Sequence, residues 1–177
     1  ASKLNLGGRC SKVTVVLSDL KNFSKFVSAA NQDDLQEIML PYYHSARNLV
    51  WHHGGTLDKF IGDAVLAVFG YPIRDRLASV HAVKLAIDLV HLGDLTVDAF
   101  RNCMNDDIEG GTRVGVASGE VHVLDIGQDE HEISLIGDVI NLAARLESNC
   151  KVNGILMDNI TKHDASCLLY TSPSPRD

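Results

Sequence analysis

The first apolar run, residues 13–17, is β-branched and almost unbroken, and it leads into Ser18 and Asp19. Such a run reads as a buried strand that delivers a carboxylate at its C-terminal end. Beyond Asp33 and Asp34, which read as a helix cap, apolar residues recur at steps of three and four: Leu35, Ile38, Met39, Tyr42, Ala46, Leu49 and Val50. Pro41 is expected to kink or restart that helix, and Gly54-Gly55 to stop it. Residues 56–61 and 64–69 are strand-like runs about Gly62 and Asp63, which is the chemistry of a tight hairpin turn. A second carboxylate therefore sits at a turn tip.

Residues 74–104 carry a long helical pattern through Leu77, Val80, Val83, Leu85, Ala86, Leu89 and Val90, with a break expected near Gly93. Residues 112–117 and 120–126 read as a hairpin-like pair about Ser118-Gly119, followed by a polar loop at 127–132 and a strand at 133–136. Gly137-Asp138 opens a helix over 139–148, with Asp138 as its N-cap, and 154–157 is a short strand. This order of hairpins and helical crossovers predicts an α+β fold, a mainly antiparallel sheet with helices packed on it. The ending CLLYTSPSPRD, residues 167–177, departs from the pattern and resembles translated sequencing-library adaptor. The chain thus divides into a lead-in at 1–12, one domain at 13–166 and a scar at 167–177, with the natural chain expected to continue past Ser166.

Composition narrows the function classes. The chain has 177 residues, 45% hydrophobic, with 16 basic against 23 acidic side chains and a formal net charge of −7. One soluble domain with a sizeable core fits these values, and the acidic balance disfavours a nucleic-acid partner. No run reaches the roughly 20 apolar residues of a membrane span, so any membrane attachment would come through segments outside this sequence. Cys10, Cys103, Cys150 and Cys167 form no C-x-x-C pair and read as reduced cytoplasmic thiols, while the 8 histidines show no H-E-x-x-H spacing.

Chemistry concentrates on carboxylates. If the first strand lies beside the hairpin, Asp19 and Asp63 converge, and two facing carboxylates suit Mg2+ completed by substrate phosphates. Both are equally readable as turn and cap residues, and pattern alone leaves the two readings even. Leu20, Lys21, Asn22, Phe23 and Ser24 form a tight link into a helix whose free N–H groups suit a phosphate, and Asn22 tolerates a positive φ there. Asn141 and Arg145 share a helix face, where an amide and a guanidinium suit a sugar oxygen and a phosphate or a solvated surface alike. Lys59 could read a base edge or be a solvated strand cation, and Ser134 says less still.

The motifs SDLKNF (18–23), GGTLDKFIGDAVLAVFG (54–70), RVGVASGEV (113–121) and IGDVINLAARLES (136–148), in this order, resemble the class III nucleotidyl cyclase catalytic domain. The resemblance, over about 13–164, implies a ferredoxin-like α+β core working as a homodimer that converts ATP to cyclic AMP and pyrophosphate with two Mg2+ per site, Mn2+ substituting. It implies that Asp19, Asp63 and the Leu20 carbonyl bind metal, that Lys59 and Ser134 select the base, that Asn141 orients the ribose and that Arg145 stabilises the transition state. One subunit would supply Asp19 and Asp63, and its partner Lys59, Ser134, Asn141 and Arg145. Lysine at 59 favours ATP over GTP, and serine at 134 resembles the bicarbonate-responsive subgroup. Two departures stand out: residues 123–126, VLDI, replace a glycine-asparagine wording, and a triphosphate-binding lysine of the family's last strands is not reached.

Overall fold

The computed structural model describes residues 9–125 and 133–170, and the expected loop at 127–132 and the last seven residues lie outside them. Among the described residues, six strands and five helices follow in the order β1 (Arg9–Leu20), α1 (Phe23–Ala29), α2 (Gln32–His52), β2 (Thr56–Ile61), β3 (Ala64–Phe69), α3 (Ala78–Met104), β4 (Thr112–Asp125), β5 (Ile133–Ile136), α4 (Asp138–Ser148), β6 (Gly154–Met157) and α5 (Asn159–Tyr170). The sheet runs β2-β3-β1-β4-β5, antiparallel throughout, and β6 joins β4 in parallel. The expected α+β architecture is therefore present, and its β2-β3-β1-β4 core has the ferredoxin-like order.

Strand alternation assigns the two faces. Even-numbered β1 and β4 residues, Val16, Leu20, Val114 and Val116, join Phe26, Tyr42, Leu85, Leu89 and Phe100 in the larger core beneath α1, α2 and α3. Odd-numbered Val13, Val15, Ala117 and Val121 pack with Val139 and Ala143 of α4 on the opposite face. Asp19 and Arg113 are odd, so they fall on the α4 side. Among the described residues no helix is long and apolar enough to cross a membrane.

Several local expectations need correction. Residues 112–125 form no hairpin about Ser118-Gly119: β4 is one strand, paired with β1 from Arg9↔Val123 to Leu20↔Thr112. Long-range pairing prevails because the small residues serve packing, with Ser118 bonded to Thr14 and Thr161 and Gly119 facing Val139. Helix α2 passes through Pro41 unbroken, since Pro41 lies on the exposed face, where solvent can serve the freed carbonyl, while Met39 and Tyr42 anchor the buried side. Its cap is Asn31, whose side chain accepts the Asp34 amide at 2.9 Å, and the two aspartates lie in the first turn, favoured there by the helix dipole.

Gly93 does not break α3 either. A Cβ there would lie 1.6 Å from Thr112 Oγ1, so glycine permits the helix to approach β4. The cap of α4 is Gly137 rather than Asp138, which occupies the first turn. Helix α5 continues past Ser166 to Tyr170.

Candidate functional site

The end of β1 and the β2–β3 turn meet. Asp63 Oδ2 accepts the Leu20 amide at 2.5 Å, which joins the hairpin tip to the residue after Asp19. Two tyrosines of α2 clamp the same turn, with Tyr42 Oη donating to the Asp63 carbonyl at 2.9 Å and Tyr43 Oη to the Gly62 carbonyl at 2.7 Å. Gly62, at φ +61, supplies the left-handed turn conformation. The expected convergence of Asp19 and Asp63 is thus present, and Leu20 lies between them.

The link after β1 has the predicted form. Asn22 adopts φ 63 and its side-chain amide donates to the Glu109 carbonyl at 2.7 Å, while Lys21 Nζ pairs with Glu109 Oε1 at 2.8 Å. These contacts hold the turn against the 105–111 segment. Phe23 packs on the larger core and Ser24 is exposed, and both open α1, where their amides precede the first helical bonds, which run from the Lys25 and Phe26 amides to the Asn22 carbonyl.

Two charged residues that sequence reasoning did not single out complete the cluster. Arg113 stands directly across from Asp19 in the β1–β4 register and grips its carboxylate with Nε at 3.1 Å and Nη2 at 2.8 Å. The same Nη2 lies 3.1 Å from Glu147 Oε1, an ion pair without hydrogen-bond alignment. Glu147, 6% exposed, is the third inward residue of α4 after Val139 and Ala143. A signal for it existed, because a glutamate at 139 + 8 falls on the helix's apolar stripe. Arg113 was marked only by opening the RVGVASGEV strand.

Charge crowding shows in the proton affinities. Burial pushes the Asp63 carboxyl up, the Leu20 amide opposes this, and Asp19 adds repulsion. Glu147 is pushed up to about 7, first by burial and then by the Asp19 carboxylate, with Arg113 opposing. Asp19 holds the Arg113 guanidinium above its ordinary value, and burial raises the Tyr42 phenol. Two carboxylates, Asp19 and Glu147, therefore face one guanidinium, with Asp63 close enough to feel the charge. Among the described residues no group of three or more His, Cys, Asp or Glu side chains is arranged as a metal cage. Asp19 and Asp63 nonetheless fit a hard divalent cation that takes its remaining oxygens from a phosphate ligand.

The other predicted residues stand apart from this cluster. Asn141 and Arg145 lie on the exposed side of α4, opposite its Val139-Ala143-Glu147 face. Lys59 is on edge strand β2, just past a register shift at Asp58, and its Nζ is 3.6 Å from Asp58 Oδ2. Ser134 pairs with Leu124 in β5, at the other end of the strand path. Within one chain Lys59 and Ser134 thus belong to opposite ends of the sheet.

Comparison with known proteins gives a consistent result. The model of the adenylate and guanylate cyclase catalytic domain family matches residues 7–171. The terminal-differentiation-specific adenylate cyclase of Dictyostelium discoideum is 32% identical over 145 residues, which cover 80% of this chain but 6% of that protein. The chain thus spans a small part of this relative. Among solved structures, the adenylyl cyclase CyaB from P. aeruginosa superposes with TM-score 0.81 at 26% identity, over 91% of this chain and 83% of that one. The guanylyl cyclase Cya2 gives TM-score 0.78 at 25% identity, over 90% and 80%.

Proposed function

The chain belongs to the adenylate and guanylate cyclase catalytic domain family, and from that premise we propose that it is an adenylyl cyclase domain converting ATP to 3′,5′-cyclic AMP and pyrophosphate. The observation that carries this reading is the junction of Asp63 with Leu20, which sets two carboxylates at one strand end beside an open helix start. Asp19, Asp63 and the Leu20 carbonyl would hold Mg2+, or Mn2+ in its place, two ions per site. Bound there, the metal lowers the pKa of the ribose 3′-hydroxyl and neutralises charge on the triphosphate.

The chain's own residues position the reaction. The 3′-oxygen gives its proton to water and bonds to the α-phosphorus, the bond from that phosphorus to the bridging oxygen breaks, and pyrophosphate leaves with the electron pair. Asn22, Phe23 and Ser24 present turn and helix-start amides to the phosphates, and Lys21, whose own amide donates to the Gly111 carbonyl at 2.8 Å, offers its ammonium. Asn141 orients the ribose, and Arg145 stabilises the charge that develops on the transferring phosphoryl group.

A homodimer with shared sites accounts for the separation of these groups. Asn141 and Arg145 point outward on α4, away from their own chain's Glu147, and so are available to a partner's Asp19 and Asp63. The second sheet face supports this, since among the described residues α4 is the helix that covers it, and Leu17, Tyr71, Leu135, Ile140, Leu142 and Leu146 remain partly exposed around its core. Mixing Asp63→Ala with Arg145→Ala should restore activity, because one of the two mixed sites keeps every group. A mixture that stays inactive although mixed dimers form refutes the shared site.

ATP is the proposed substrate because of Lys59 and Ser134. Adenine presents N1 as an acceptor and its 6-amino group as a donor, which match an ammonium and a hydroxyl, whereas guanine reverses this polarity. Each mismatched buried group costs roughly 1–3 kcal/mol, about ten- to a hundredfold in selectivity. Lys59→Glu should erode the preference for ATP. Equal kcat/KM for ATP and GTP in the unmutated domain would refute the assignment and favour a guanylyl cyclase.

A further inference from the structure

We propose that Glu147 is a positioning residue for the metal end of the site: it draws Arg113 partly off Asp19, and so sets how readily Asp19 exchanges its ion pair for a divalent cation. This rests on the reading of Asp19 as a metal ligand. The geometry centres on one atom. Arg113 Nη2 lies 2.8 Å from Asp19 Oδ2, to which it donates, and 3.1 Å from Glu147 Oε1, so two carboxylates draw on one positive charge. Nη2 has a hydrogen for each, and the pull of Glu147 is electrostatic, acting against the bidentate grip on Asp19.

The setting argues for a role beyond packing. Val139 and Ala143 fill the two preceding inward positions of α4, and an apolar side chain at 147 would continue that stripe without desolvating a charge. Instead a glutamate is held within reach of Arg113, and the placement is tightly enforced. A Cβ on Gly115 would lie 2.6 Å from the Glu147 amide and 2.1 Å from the Ala143 carbonyl, so α4 sits as close to β4 as backbone contact permits. The Glu147 backbone therefore cannot move back from β4 unless the helix moves.

Two variants separate this from a structural role and from a simple through-space charge effect. Glu147→Gln removes the charge, and Glu147→Asp keeps it but withdraws it from Arg113 by one methylene. Mn2+ alone is titrated into the full chain at mildly alkaline pH and read by the electron paramagnetic resonance of the free ion, with thermal unfolding recorded alongside. Both variants should weaken Mn2+ binding threefold or more. In an Arg113→Gln background, which has no guanidinium to redirect, the Glu147→Gln loss should shrink at least threefold.

Parent-like Mn2+ binding by either folded variant overturns the proposal, and so does an undiminished loss in the Arg113→Gln background. Should Glu147→Gln fail to fold, Glu147→Asp decides by the same criterion. Asp63→Ala, run in parallel, tests the underlying reading. If it binds Mn2+ as the parent does, the metal assignment falls. If it loses Mn2+ while both Glu147 variants behave as the parent, the role of Glu147 alone is refuted.

Discussion

Gly115→Ala tests how closely α4 must lie on β4 for the domain to work. The added Cβ would stand 2.1 Å from the Ala143 carbonyl oxygen and 2.6 Å from the Glu147 amide nitrogen, both of them backbone atoms that no rotamer change can move aside. An unstrained carbon–oxygen contact is about 3.3 Å, so α4 must retreat by about 1.2 Å or the strand must buckle. Overpacking of this kind costs about 1–3 kcal/mol, and for a domain of this size each kcal/mol lowers Tm by about 2–4 °C. The melting temperature should therefore fall by roughly 2–12 °C.

Activity should fall further than stability. The retreat carries Asn141 and Arg145 with the helix and draws Glu147 away from Arg113, and a displacement of about 1 Å at a reacting group costs on the order of a hundredfold in rate. Gly119→Ala is the internal control. Its Cβ meets the Val139 side chain at 3.2 Å, a contact that can yield, so both effects should be smaller. Far-UV circular dichroism melts and cyclic AMP formation measure the two quantities. A Gly115→Ala chain that melts with the parent and turns over at its rate would refute the argument that backbone contact fixes α4.

Other expectations follow from the same geometry. Tyr42→Phe removes the donor to the Asp63 carbonyl and should cost about 0.5–1.5 kcal/mol in thermal unfolding, with turnover falling as the hairpin tip loosens. Asn22→Ala keeps the left-handed turn without the side chain that tolerates it and loses the bond to Glu109, so denaturant unfolding should show a loss of about 1–2 kcal/mol. Glu147 binds its proton more tightly in the folded chain, at about 7 against an ordinary 4.5. Its contribution is therefore complete below the ordinary value and lost as pH rises through about 7. Glu147→Gln should flatten the decline of Tm across that window, and an unchanged slope would show that another group titrates. Cyclic AMP formation should cease in excess chelator and return with added Mg2+ or Mn2+, and activity that persists without divalent cations would refute the metal assignment.

What could be read from the chain alone was what local pattern determines. The β-branched run before Asp19 and the two runs around Gly62-Asp63 carry their own periodicity, so both carboxylates could be placed at strand ends without knowing which strands pair. Asn22 signalled its left-handed turn in the same way, through a side chain that tolerates it. Ser118-Gly119 misled because a turn and a close helix–strand contact demand the same small residues. Only the pairing of β1 with β4 along their whole length, a contact between residues about a hundred positions apart, decides between them.

The cluster around Asp19 shows the same divide. Arg113 and Glu147 are separated by 34 positions and act on a third residue 94 positions before Arg113, so no window of sequence contains their interaction. Each nevertheless left a local trace. Glu147 breaks an apolar helical stripe, and Arg113 occupies the strand face that otherwise carries Gly115, Ala117 and Gly119. A charge set on a face that burial should keep apolar is stable only if something across from it returns the lost solvation. Such a residue therefore predicts a partner of opposite charge before any fold is known. Here that partner is shared with Asp19, and a reading that paired each inward charge with a strand-end carboxylate would have reached Arg113 from the sequence.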